Sequence, residues 1–248
     1  MFKRLFDLIA SSVGLLLASP ILLPVMFLVW WKDRHSPFYI ATRVGKNDRP
    51  FKMVKLRSMV IGADKTGVDS TSSNDNRITS VGRFIRRYKL DELTQLWNVF
   101  KGDMSLVGPR PNVKRETDLY TPVERKLLEV KPGITDFSSI VFSDEGDILK
   151  DQVDPDIAYN QLIRPGKSTL GLLYIENQSL WLDIKLCFLT VIAILSRAKA
   201  LAELQKILRA INAPEDVLQL ARRNQALIPQ PPPGGDRIVT SRDGNPFV

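Results

Sequence analysis

Cysteine and histidine each occur once, as Cys187 and His35. A single thiol cannot close an internal disulfide, so nothing ties the chain to an oxidising compartment. One thiol with one imidazole also argues against a thiolate–imidazole zinc site. A Ser–His–Asp hydrolase would have to be built on His35, which lies among charges just past an apolar run, a poor setting for a buried triad. Internal repeats are absent too. Nor is there a recognisable nucleic-acid-binding module or a set of basic residues interleaved with aromatics, so no nucleic-acid partner is expected.

What is present is a basic, core-forming chain. The 248 residues are 44% hydrophobic and 25% charged, enough apolar material to bury a core. That length suits one domain with additions or two small domains. The net charge of +8 is unevenly placed. Residues 1–57 hold ten basic and three acidic side chains, a balance of +7, whereas the other 191 residues hold 25 and 24. Positive charge crowded beside an apolar segment points to anionic lipid headgroups and phosphates.

That segment runs from Leu8 to Trp31, 24 residues without a charge. As one straight helix it would rise about 36 Å, enough to cross a hydrocarbon core of about 30 Å. Three features oppose simple spanning. Ser19-Pro20 sits at its centre and Pro24 follows one turn later. Each proline frees a carbonyl, that of Leu16 or Pro20, and the Ser19 hydroxyl can re-satisfy one of them. Basic residues flank both ends, Lys3 and Arg4 before and Lys32 and Arg34 after, so both ends ask to be cytoplasmic. A re-entrant helix–break–helix meets both demands, with Trp30 and Trp31 at headgroup level, while the residues alone leave spanning open.

Beyond the anchor, Phe38–Thr42 and Phe51–Leu56 are β-prone and separated by a polar turn, a small β hairpin. Residues 62–80 form a polar loop. A helix is expected from Val81 to about Phe100, with a break near Tyr88 and its end at Gly102. Leu106–Pro111 is a stiff Gly/Pro turn, and Pro122–Val130 a charged helix. The segment 180–202 has helical spacing, but its charge-free stretch is too short to span, so it reads as a core or partly interfacial helix. Ala200–Ile211 and Pro214–Leu227 read as amphipathic helices, offering a surface for a homodimer. The Pro/Gly-rich tail is expected to be disordered. The division is therefore 1–34 membrane hairpin, 35–198 catalytic domain, 199–227 C-terminal amphipathic helices and 228–248 tail. The fold class is α+β, mostly helical: a monotopic membrane protein with an N-terminal re-entrant segment, interfacial amphipathic helices and the hairpin.

Chemistry concentrates between Arg83 and Arg110. Arg83, Arg86, Arg87 and Lys89 precede Leu90-Asp91-Glu92-Leu93, and Gly108-Pro109-Arg110-Pro111 places an arginine on a rigid turn. An arginine fork matches phosphate oxygens. Of two adjacent helical carboxylates, one can attack phosphorus while the other holds Mg²⁺ with substrate oxygens. Spacing alone equally permits a solvated charged helix followed by a turn.

Read together, Lys55-Leu56-Arg57-Ser58-Met59, Val81-Gly82-Arg83-Phe84-Ile85-Arg86, the run from Leu90 to Val99 and the run from Lys101 to Pro111 resemble the bacterial sugar transferase family. Its members are the monotopic polyprenyl-phosphate phosphoglycosyl transferases. Ser19-Pro20 resembles the family's membrane-hairpin break. The resemblance covers about Phe2 to Arg197. It implies transfer of a sugar 1-phosphate from a UDP-sugar to undecaprenyl phosphate, with release of UMP, as the first membrane step of glycoconjugate synthesis. It implies Asp91 as nucleophile through a phosphosugar-aspartyl intermediate and Glu92 as the Mg²⁺ ligand. Lys55, Arg57, Arg86 and Arg110 are implied around the phosphates. It further implies membrane lipids as partners, and a re-entrant anchor with the catalytic domain on the cytoplasmic side of the bacterial inner membrane. One departure stands out: after Lys131-Pro132-Gly133-Ile134-Thr135 the chain continues Asp136-Phe137-Ser138-Ser139 and then the acidic Asp144-Glu145-Gly146-Asp147. That segment is expected to bear on which sugar is accepted. The competing reading is a catalytically inactive membrane-anchored scaffold of a glycan assembly complex.

Overall fold

Small and apolar residues recurring at steps of three and four along the N-terminal run give one helix, α1 (Phe2–Asp33), a single packed stripe. Asp7, Ser11, Ala18, Leu22, Val25 and Val29 are its buried positions. Gly14 completes the stripe, since a Cβ there would lie 3.0 Å from the Leu96 side chain. The computed structural model describes residues 2–66 and 70–241. The break expected at Ser19-Pro20 does not interrupt the helix: Pro20 and Pro24 both lie inside α1. The Ser19 hydroxyl donates to the Leu16 carbonyl at 2.7 Å, the group that Pro20 deprives of its N–H.

Both ends of α1 are held by the same body. Lys3 donates to the Val107 carbonyl and Tyr174 hydroxyl, each at 3.1 Å, and pairs with Asp183. Arg4 covers the carbonyls of Val99 and Phe100 at 2.6 and 2.7 Å. Asp7 is buried and accepts from Ser105 Oγ and Leu106 N–H at 3.1 and 3.0 Å. At the far end Asp33 receives a bidentate Arg57 at 2.6 and 2.8 Å. The opposite face stays bare: Leu5, Ile9, Leu16, Leu17, Leu23, Phe27 and Trp31 are all exposed.

The hairpin follows, β1 (Phe38–Val44) antiparallel to β2 (Pro50–Leu56), in register from Phe38 opposite Leu56 to Val44 opposite Pro50. Next come α2 (Ser80–Arg87), α3 (Leu90–Leu93) and α4 (Leu96–Lys101), so the break expected near Tyr88 is present. Gly102 caps α4 as expected, with φ 94°. Strand β3 (Ser105–Val107) pairs in parallel with β4 (Gly133–Thr135). Between them lie α5 (Lys114–Asp118) and a 3₁₀ turn at Glu124–Glu129. The expected charged α-helix is thus replaced by that turn, because Glu124 is drawn inward to Arg164 and to the backbone N–H of Thr121.

The rest is helical. Short α6 (Phe137–Val141), α7 (Glu145–Ile148) and α8 (Pro155–Ala158) lead to α9 (Arg164–Asn177). The helical stretch expected over residues 180–202 is two elements, α10 (Leu180–Leu195) and α11 (Arg197–Ala210), because Ser196 is extended. α12 (Glu215–Arg222) completes the series. The molecule is a mostly helical α+β protein. Its main core joins Met53, Val99, Met104, Phe137, Leu170 and Leu186 to Ala200, Leu204, Leu208 and Val217. Apolar residues of α11 and α12 thus pack into the body. A second cluster sets Leu22, Val25 and Val29 of α1 against Leu56, Ile85 and Leu90.

The tail also differs from expectation. Residues 228–241 lie along the body as a strap, and residues 242–248 fall outside the described residues. Thr121 donates to the Pro233 carbonyl, Gln230 N–H to Gln161, and Gln161 Nε2 to Val239, at 2.5, 3.1 and 2.7 Å. Val239 is buried. Composition alone does not show this docking, because the partners lie 69 to 112 positions earlier in the chain.

Candidate active site

Two close approaches of backbone to backbone build the site. Gly82 lets α2 lie against the segment after β2, where a Cβ would sit 1.8 Å from the Ser58 carbonyl oxygen. Gly108 and Gly133 face each other, a Cβ on Gly133 falling 2.1 Å from Gly108 N. That second contact stiffens the turn that presents Arg110.

Lys89 adopts a left-handed conformation, φ 55°, ending α2 and restarting the chain as α3. Such conformations cost energy and are kept where surrounding structure demands them. The restart puts Asp91 and Glu92 in the first turn of α3. Side chains of this motif then substitute for a strand on the free edge of β2. Asn98 Oδ1 accepts from Val54 N–H at 2.9 Å and its Nδ2 donates to the Lys52 carbonyl at 2.7 Å. Thr94 Oγ1 donates to the Val54 carbonyl at 3.1 Å. These bonds fix α3 and α4 on β2, which carries Lys55. Leu90, beside Asp91, packs with Val25 and Val29 of α1.

Five of the expected side chains converge. The Lys55 ammonium lies 4.0 Å from Asp91 Oδ2. Arg110 donates to Glu92 Oε1 at 2.7 Å. Arg86 donates through Nε to Ser58 Oγ at 3.0 Å and lies in the field of Asp91. Asp91 is 9% exposed, and its buried Oδ1 has no hydrogen-bond partner among the described residues. A buried carboxylate oxygen without a donor is costly. Arg57 does not join them. Its Nε goes to the Ser36 carbonyl and its two terminal nitrogens to Asp33, so it ties the end of α1 to the body. Ser19 and Pro20 lie within α1.

The electrostatics keep these groups charged in the right sense. Burial, reinforced by Arg110, pushes the Lys55 ammonium down to about 8, with Asp91 and Glu92 opposing the fall. Burial would raise Glu92, but Arg110, Lys89 and Lys55 outweigh it and hold the carboxyl at about 2. Glu92 in turn raises the Arg110 guanidinium above its ordinary value. The result is an ionised Glu92 beside Asp91 in a cluster of cations, open to a phosphate group.

The bacterial sugar transferase family model matches residues 1–197 of the chain. The chain belongs to the bacterial sugar transferase family. It is 38% identical over 194 residues to the UDP-glucose:undecaprenyl-phosphate glucose-1-phosphate transferase of Klebsiella pneumoniae, covering 77% of this chain and 39% of that protein. Identity to the undecaprenyl-phosphate galactose phosphotransferase of Salmonella typhimurium is 35% over 213 residues, 79% of this chain and 40% of the relative. With the exopolysaccharide production protein ExoY of Rhizobium meliloti it shares 35% over 209 residues, 78% of this chain and 85% of the relative. The chain thus spans about two fifths of the first two relatives and most of the third. As a family member it carries four side chains that the motif reading did not assign. Thr94 and Asn98 hold the motif on β2, and Glu145 and Lys167 pair beside Arg110. The first two lie in the Leu90–Val99 run that carries the resemblance, where nothing in the sequence marks them as partners of β2. In the sequence Glu145 is legible only as part of the acidic departure.

Proposed function

We propose that the chain transfers a sugar 1-phosphate from a UDP-sugar to undecaprenyl phosphate, releasing UMP, at the cytoplasmic face of the bacterial inner membrane. The observation that carries this reading is the buried, unpartnered Asp91 Oδ1 beside Lys55 and within the field of Arg86 and Arg110. In the first step an Asp91 carboxylate oxygen bonds to the sugar-bearing phosphorus. The bond from that phosphorus to the bridging oxygen breaks, and UMP leaves with the electron pair. In the second step an oxygen of undecaprenyl phosphate bonds to the same phosphorus and Asp91 is released. Lys55, Arg86 and Arg110 offset charge on the phosphoryl oxygens through both steps.

The donor set suits Mg²⁺. It consists of hard carboxylate oxygens, one of them unpartnered, and no group of three or more candidate ligands occurs among the described residues. Mg²⁺ is commonly held by one or two carboxylates with substrate phosphates and water. Glu92 and Asp91 would hold it, and when bound it supplies charge that neutralises the diphosphate.

The protein is membrane-associated through α1, long and apolar enough to cross a bilayer by length and composition. A re-entrant placement is favoured by its two ends, Lys3 and Asp33, holding one body. Arg34 stacks on Trp30 and Trp31, 4.4 and 4.3 Å from the ring centroids, an arrangement suited to the headgroup layer. Exposed Trp181, Phe188, Val191 and Leu195 on α10 add an apolar surface for the same layer.

The test is a UMP-release screen across UDP-sugars with undecaprenyl phosphate and Mg²⁺. Multiple turnovers are expected with at least one donor and none without Mg²⁺. Silence across the panel by folded, lipid-supplied protein would overturn the reading and leave a membrane-anchored scaffold.

A further inference from the structure

The α3–α4 segment turns one polar stripe toward β2. Asp91, Thr94, Gln95 and Asn98 recur with the spacing of a single helical face, and all four are buried. Thr94 and Gln95 keep helical backbone angles between the two short helices, φ −69° with ψ −17° and −15°, so the face continues across the junction. Three of the four meet β2. Asp91 lies 4.0 Å from the Lys55 ammonium, Thr94 donates to the Val54 carbonyl, and Asn98 bonds to Lys52 and Val54. Gln95 is the fourth. It is 2% exposed, yet its Nε2 has no hydrogen-bond partner among the described residues. Asp91 Oδ1, one turn away on the same stripe, is likewise unpartnered. An unpaired buried amide costs stability, and a methionine of similar length would fill the space without that cost.

We propose that Gln95 is a positioning residue for the nucleophile: when the donor binds, its amide donates to Asp91 Oδ1 and leaves Oδ2, the oxygen facing Lys55, to attack phosphorus. The inference rests on the transferase reading with Asp91 as nucleophile and adds the residue that orients it. Helical residues four apart have Cβ atoms about 5–6 Å apart, within reach of a glutamine–carboxylate hydrogen bond. Thr94 and Asn98 hold the backbone on β2, so the contact needs side-chain rotation alone. In the first step the P–Oδ2 bond forms, the bond to the bridging oxygen breaks, and UMP leaves with its electron pair. Oδ1 becomes the carbonyl oxygen of the acyl phosphate and still accepts from Gln95. In the second step an oxygen of undecaprenyl phosphate bonds to phosphorus, the P–Oδ2 bond breaks, and its electron pair returns to the carboxylate. Charge then builds on Oδ1, where a preplaced amide donor stabilises it. Gln95 moves no proton in either step.

The experiment follows the Asp91 adduct by rapid-quench mass spectrometry of the full-length protein in nanodiscs. The protein is mixed first with Mg²⁺ and the UDP-sugar that releases UMP in the screen, then with undecaprenyl phosphate. Gln95→Met keeps the length and removes the donor. Adduct formation and discharge are each expected to slow about tenfold to hundredfold, with donor KM within about twofold and the thermal midpoint equal to or above wild type. A glutamine that only supports the fold gives the opposite pattern, a lowered midpoint with rates kept in the folded molecules. Gln95→Glu sets a second carboxylate against Oδ1 and is expected to slow both steps at least as much, an independent readout should Gln95→Met fail to fold. Wild-type rates in either folded variant overturn the positioning role. So does a raised donor KM with unaltered adduct formation, which would put the amide on the substrate. A wild-type protein that forms no adduct on Asp91 sinks the nucleophile reading instead.

Discussion

In the proposed transfer Asp91 supplies the attacking oxygen, and Lys55 beside it is poised to lose its charge. Asp91→Asn removes the attacking oxygen while keeping its size, so turnover should fall by about 10³-fold or more in the UMP-release assay. Lys55 titrates at about 8, so its positive charge is present below that pH and lost above it. Activity should therefore decline through an alkaline limb near that value. Lys55→Arg, which stays charged, should move the limb upward by more than about one unit in a pH–rate profile. Asp91, Glu92 and Arg110 are legible in sequence because the carboxylates are adjacent and the arginine sits between prolines. Arg57 looks equivalent in the Lys55-Leu56-Arg57 run, yet lies beyond the end of β2 and is taken by Asp33. Periodicity cannot register that choice of partner.

The elements explain why the motif is long. Asn98 and Thr94 bond to backbone 40 to 46 positions earlier, so they hold α3 and α4 on β2 although neither touches Asp91's carboxylate. Asn98→Ala would remove the side-chain partner of the Val54 N–H and the Lys52 carbonyl, costing about 1–3 kcal/mol in all. Chemical denaturation should show that loss, together with a fall in kcat as Lys55 and Asp91 separate. A second support lies under α9, where buried Arg164 and Glu124 pair at 2.6 Å, with Ser168 also donating to Glu124 at 2.6 Å. Glu124→Ala strands that guanidinium, and a loss of about 3–5 kcal/mol is expected in the same measurement. Hairpin, α2 break and Gly102 cap were readable because local chemistry decides them. The 3₁₀ turn after Val123 and the docked tail were not, since Arg164, Thr121 and Gln161 decide them from a distance.

At the scale of the whole molecule, the +7 balance of residues 1–57 resolves into separate tasks. Lys3 and Arg4 fasten the start of α1 to the body, Arg34 covers the tryptophans at its end, and Arg57 holds that end through Asp33. Lys55 reaches Asp91. The length and apolarity of α1 were plain in sequence, whereas its packing stripe against the catalytic body depended on partners as distant as Leu90 and Leu96. Cysteines placed at Phe2 and His35 in a Cys187→Ser background should both resist an impermeant reagent in intact cells. Labelling of just one end would show a spanning helix. The central claim, that Asp91 carries the phosphosugar, is tested most directly by intact-protein and peptide mass spectrometry after mixing the protein with an accepted UDP-sugar and Mg²⁺ but no polyprenyl phosphate. The expected result is one added sugar phosphate per chain, localised to Asp91, discharged by undecaprenyl phosphate and absent from Asp91→Asn. Full turnover with no adduct on Asp91, or an adduct that persists in Asp91→Asn, would contradict it.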